Sequence, residues 1–180
     1  MKHLRSVVII ILLFGLPIGS WYFLKHGFNW RKSKIETLMP KDHILRDFDW
    51  SGKQKEELYS ILFYKTTVIN FDDEIDDKEN LIIDQYLKAN TFQWLNVTSD
   101  EMYNRTLSSK DKRKYFTSDK SAWSKGILSG VKYALIDTGM YVRQVYPDNS
   151  EASLGMLVED LSLIIPRKKE KDISIRKKDN

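Results

Sequence analysis

"KTTVINFDDEIDDKENLIIDQYLKANTFQWLNV", Lys65–Val97, decides the fold. It opens with Thr66, Thr67, Val68 and Ile69, four β-branched residues in succession, which favour a strand buried on both faces. Acids crowd the next stretch, and from Asp76 to Asn90 the apolar residues Leu81, Ile82, Tyr86 and Leu87 fall on one helical face. Phe92–Val97 reads as a second strand, with Phe92, Trp94 and the non-polar part of Asn96 on one side. A helix of about four turns between two strands is a βαβ unit, which implies a parallel pair and a right-handed crossover.

Toward the C-terminus, "VKYALID" (Val131–Asp137) and "MYVRQVY" (Met140–Tyr146) are two alternating runs separated by Thr138-Gly139. This spacing predicts a tight hairpin, with Gly139 supplying the left-handed residue. Asn149 or Ser150 can cap a last helix in which Leu154, Leu157, Val158, Leu161 and Ile165 recur at 3–4 spacing, and Pro166 stops it. Residues 99–120 are polar, "SSKDKRKYFTSDKS" being the least core-like stretch, and a helix is expected around Ala122–Leu128. Before the first strand, Ile44–Phe63 carries a Ser51-Gly52 turn signal, read as a small strand or hairpin followed by a helical turn. Two parallel strands, an antiparallel hairpin and a closing helix give the expected class: α/β, thioredoxin-like, a central mixed sheet flanked by helices.

The N-terminus adds a membrane element. Val7–Leu24, "VVIIILLFGLPIGSWYFL", runs 18 residues without a charge. At ~1.5 Å per residue it reaches ~27 Å, close to the hydrocarbon thickness of a bilayer. Trp21, Tyr22 and Phe23 stand at one end, where amphipathic rings prefer the headgroup level. "LPIGSW" lacks the small-x-small pattern of a cleaved signal, so a retained transmembrane anchor is expected. The expected division is an anchor over 1–24, a connector over 25–43, a domain over 44–166 and a basic tail over 167–180 that is disordered by composition. Lys25, Arg31, Lys32 and Lys34 outnumber Lys2 and Arg5, and that count favours a cytoplasmic body.

Charge and cysteine usage exclude whole classes of function. The net charge of +4 is carried by the two ends; residues 35–166 hold 16 basic against 22 acidic side chains. An acidic body lacks the basic face that a nucleic-acid reader needs. The absence of any cysteine removes disulfides, thiolate catalysis and Cys-ligated zinc, copper or iron–sulfur centres.

"YALIDTGMYVRQVYPDNSEASLGMLVEDLSLII", Tyr133–Ile165, resembles the end of the Sco/SenC family of thioredoxin-like copper proteins. "DFDWSGK", Asp47–Lys53, looks like the Gly-Lys hairpin ahead of that family's first core strand. The resemblance implies an extracytoplasmic body, and the charge count weighs less when a folded domain follows the anchor. It also implies two cysteines in a loop after the core strand and a histidine ahead of the late hairpin. The corresponding stretches are "DDEIDD", Asp72–Asp77, and "GILSGVKY", Gly126–Tyr133, and all three ligands are missing. Cu(I) prefers sulfur donors, so neither copper transfer nor thiol exchange carries over; the expected cofactor is none.

Asp72, Asp73, Glu74, Asp76 and Asp77 offer oxygens suited to Ca²⁺ or Mg²⁺, but their spacing fits no EF-hand loop and no Asp-x-Asp phosphotransfer motif. The simpler reading has Asp76 or Asp77 capping the helix while its neighbours favour the helix dipole by ~0.3–1 kcal/mol each. His3 and His26 flank the apolar run and His43 falls in the connector, so no catalytic base is placed in the body. Trp94, Tyr103, Tyr115, Phe116 and Trp123 are mostly core by expectation, with partner contact as the competing use. The sequence therefore points to no catalytic, cofactor-binding or metal residue. It points to a non-enzymatic, membrane-anchored binding protein whose partners are the membrane, through Val7–Leu24, and another protein, and not nucleic acid; the resemblance suggests an accessory role in respiratory oxidase assembly. The competing readings are a divalent-cation enzyme or metal-binding protein using residues 72–77, and a structural membrane-tethered interaction domain.

Overall fold

The computed structural model describes residues 2–72, 77–86, 88–99, 113–123 and 125–165, with side chains described from residue 13. Residues 1–39 and 40–180 are separate compact units.

The first unit is a single helix, α1 (Lys2–Thr37), 36 residues long with Pro17 inside it. Its residues Leu13, Phe14, Leu16, Ile18, Trp21, Tyr22, Phe23 and Leu24 are exposed. Among the described residues no helix is long and apolar enough to cross a membrane; positions 7–12 of the expected anchor lie outside the described side chains. The connector expected over 25–43 is helical as far as Thr37. From Lys25 to Thr37 no helix breaker stands except Gly27, so the helix begun in the apolar run continues until just before Pro40.

The second unit is α/β, a mixed five-stranded sheet flanked by helices. Its elements are α2 (Gly52–Leu62), β1 (Thr66–Asn70), α3 (Asp77–Tyr86), β2 (Phe92–Thr98), β3 (Lys114–Thr117), β4 (Tyr133–Ile136), β5 (Val142–Tyr146) and α4 (Glu151–Ile164). The strand order is β3-β2-β1-β4-β5. β1 pairs β2 in parallel, Val68 opposite Trp94, as the βαβ reading expects. β4 is antiparallel to both β1 and β5, with a register shift between Leu135 and Ile136.

Alternation along the central strands divides the core in two. Ile69, Leu95, Ala134 and Ile136 pack beneath Leu58 and Leu62 of α2. Val68, Trp94, Tyr133 and Leu135 face Ile82 and Ile83 of α3 and Leu154, Leu157 and Leu161 of α4. All five residues of β1 are buried, which explains the unbroken β-branched run.

Four expectations are corrected. The Ser51-Gly52 stretch makes no hairpin: Ser51 caps an 11-residue helix through a capping box with Gln54, and Ser-Gly serves a helix start as readily as a turn. The charged stretch around residue 115 contains β3, whose Tyr115 and Phe116 are buried. The helix expected around Ala122–Leu128 is two 3-10 turns, Lys120–Ala122 and Gly126–Leu128. In the hairpin the left-handed residue is Met140, φ 65°, not Gly139. The carboxylate of Asp137 accepts the backbone N–H groups of Gly139 and Tyr141, each at 2.9 Å, which widens the turn by drawing residues 137–141 around it. A Cβ on Gly139 would stand 3.3 Å from Asp137 Oδ1, so any larger residue there would press on the carboxylate that holds the turn.

The last helix matches its reading: Ser150 is the N-cap and the Ser150 hydroxyl accepts from Ser153 N. Pro166 and the tail lie outside the described residues.

Candidate functional site

β1 and β4 run antiparallel, so the end of one meets the beginning of the other, and the loop leaving β1 meets the loop entering β4. There Phe71, Asp72, Gly130, Val131, Lys132, Pro147, Asp148 and Asn149 line an open cavity of about 440 Å³. Asp72 comes from the first loop picked out by the family resemblance and Gly130–Lys132 from the second. Residues 73–76 of the acidic stretch lie outside the described residues, and Asp77 opens α3.

At the mouth of this cavity stands an ion pair. Lys132 Nζ lies 2.7 Å from Asp72 Oδ2, and the Lys132 side chain is only 12% exposed. The ammonium also sits 5.8 Å from the centre of the Tyr133 ring, a favourable cation–π position. Backbone bonds fix the pair's two strands: Phe71 N donates to Lys132 O and Lys132 N to Tyr146 O, both at 3.0 Å. On the far wall Asp148 Oδ1 accepts from Ser150 N, Ser150 Oγ and Ser153 Oγ at 3.0, 2.6 and 2.6 Å. The Ser150 hydroxyl foremost, then that of Ser153, holds the Asp148 carboxyl below its usual pKa, so it remains an anion.

Behind this cavity lies a group that nothing in the sequence singles out. Glu79, in the first turn of α3, is fully buried. Its Oε1 accepts from Tyr133 Oη at 2.8 Å and from Asn70 Nδ2 at 3.4 Å, and its Oε2 lies 3.4 Å from Arg113 Nη2. Arg113 is itself buried. Burial pushes the Glu79 carboxyl above its usual pKa, opposed by the Tyr133 hydroxyl and the Arg113 guanidinium. In sequence Glu79 reads as one more acid near a helix N-terminus; only the burial of Arg113, 34 residues away, distinguishes it.

The remaining candidates fall elsewhere. His43 belongs to the body rather than to a connector: it bridges Tyr141 and its ring packs on the Tyr141 ring at 4.9 Å. Of the aromatic set, Trp94, Tyr115, Phe116 and Trp123 are core, and Tyr103 lies outside the described residues. Among the described residues no group of three His, Asp or Glu is placed to hold a metal ion. Chemically, the cavity presents a paired ammonium, two anchored carboxylates and no thiol, an arrangement that offers fixed charges and hydrogen-bond acceptors to a docked surface. No model of a known protein family matches the chain, and no curated protein does.

Proposed function

We propose that the chain is a thioredoxin-like domain, akin to Sco/SenC proteins, tethered to a membrane by Val7–Leu24 with its body on the extracytoplasmic side. It acts without metal, redox chemistry or turnover, binding another protein through the cavity at the end of β1, as an accessory factor in respiratory oxidase assembly. The observation that carries this reading is the Lys132–Asp72 ion pair, standing where the two resembled loops meet in a chain without cysteine. The two charges face each other there, and among the described residues the cavity holds no thiol or imidazole beside them.

Further support comes from the strand order, with three parallel strands followed by an antiparallel pair and a closing helix, which is compatible with a thioredoxin-like fold. The anchor reading rests on the uncharged run and on the exposure of its apolar side chains from Leu13 to Leu24. Calorimetric titration of the full chain in detergent with Ca²⁺, Mg²⁺ and Cu(I) is expected to give no saturable heat. Stoichiometric uptake of any of these ions that disappears in Asp72→Asn would overturn the reading.

A further inference from the structure

We infer that Glu79 is the positioning residue of the binding face, setting the Asp72–Lys132 pair through the side-chain amide of Asn70 and the hydroxyl of Tyr133; this rests on the reading of that face as the contact surface.

The chain of contacts is continuous. Asn70 ends β1, and its amide works in both directions: Nδ2 donates inward to Glu79 Oε1, and Oδ1 accepts the backbone N–H of Asp72 at 3.0 Å. Asp72 in turn holds Lys132. From the other side Tyr133 donates to the same Glu79 oxygen, and its ring carries the Lys132 ammonium. One buried carboxylate thus sets both members of the exposed pair from beneath.

The chemistry demands a carboxylate at this place. An ionised Glu only accepts, so it forces the NH₂ end of the Asn70 amide inward and leaves the oxygen for Asp72. Asn70 Nδ2 reaches both carboxylate oxygens, 3.4 Å to Oε1 and 3.5 Å to Oε2, so a Gln at position 79 sets its NH₂ against that donor whichever way it turns, and the Asn70 amide can then turn over and present a donor to the Asp72 N–H. Two donors facing each other break the contact that fixes the loop. Simple packing would not distinguish Glu from Gln, which have nearly the same shape.

The test uses the full chain in detergent and reads two local signals. One is hydrogen exchange at the Asp72 amide; the other is trace acetylation of Lys132 by acetic anhydride, with exposed Lys55 as internal reference. In Glu79→Gln the Asp72 amide is expected to exchange about tenfold faster and Lys132 to lose about tenfold protection, the factor one hydrogen bond commonly carries. Glu79→Asp, still a pure acceptor, restores part of both. Leu157→Ala, a buried change away from the cavity, is the comparison for lost stability and is expected to leave both signals in place. Glu79→Gln/Arg113→Gln removes the stranded cation should the single variant fail to fold. Loss of stability in Glu79→Gln with both signals unchanged would overturn the inference and leave Glu79 a core residue only. If instead the signals move but Asp72→Asn leaves partner crosslinking unaltered, the positioning role stands and the assignment of the contact face fails.

Discussion

Arg113→Leu is expected to lower the unfolding free energy by about 3–5 kcal/mol at neutral pH, because it strands the buried carboxylate of Glu79. Arg113 and Glu79 are 3% and 0% exposed and lie 3.4 Å apart. The loss has a pH signature. Burial already raises the folded-state pKa of Glu79 above the usual 4.5, and removing Arg113 takes away one of the groups that lowers it. A raised pKa means the folded state binds more protons than the unfolded one between the two values. The associated stability is complete below the unfolded value near 4.5 and is lost as pH rises through the folded one. The variant's deficit is therefore largest at neutral pH and shrinks as the solution is acidified. Denaturant unfolding at several pH values measures it; a deficit independent of pH would show that the Arg113 side chain matters only for packing.

Trp123→Ala is the second large effect, about 3–5 kcal/mol, from the cavity left by a buried indole. Trp123 is 1% exposed and its ring centre lies 4.5 Å from that of Trp50, 5.4 Å from Phe71 and 6.1 Å from Phe116. Phe71 also lines the cavity at the end of β1, so loosening Trp123 reaches that cavity as well as the core. Thermal unfolding followed by far-ultraviolet circular dichroism measures the stability change. A loss under 1 kcal/mol would mean that the ring cluster closes over the gap, as well-relaxing sites do.

Much of the fold was legible where local chemistry and tertiary context agree. The β-branched run of β1 needed burial on both faces and received it. Ser150 is a cap in sequence and in space. Where the two levels part, the sequence misleads. Tyr115 and Phe116, expected to be core and found buried, follow Arg113 and Lys114 in a strand of four residues, too short for any alternation to emerge, so the strand itself shows only in its pairing with β2. Ser51-Gly52 satisfies both a turn and a helix start, and the Gln54 side chain reaching back to Ser51 decides for the helix. Met140 takes the left-handed conformation, although Gly139 stands beside it, because the Asp137 carboxylate sets the turn.

The site was half visible. Asp72 stood out because acids follow a core strand, whereas Lys132 drew notice only as part of a loop lacking a histidine. Their partnership spans 60 positions and depends on β4 returning antiparallel beside β1. Glu79 was hidden for the same reason: a first-turn acid carries one meaning at a surface and another when an arginine and a tyrosine meet it in the interior.

Protein binding by the face around Asp72 and Lys132 is read by crosslinking from that face. A photo-crosslinking amino acid is placed at Val131, on the cavity wall, and at Glu56, on the exposed side of α2, in the full chain expressed in cells. One discrete protein adduct is expected from Val131, lost in Lys132→Glu and not formed from Glu56. Equal adducts from both positions, or an adduct from Val131 indifferent to the charge at 132, would contradict binding by that face.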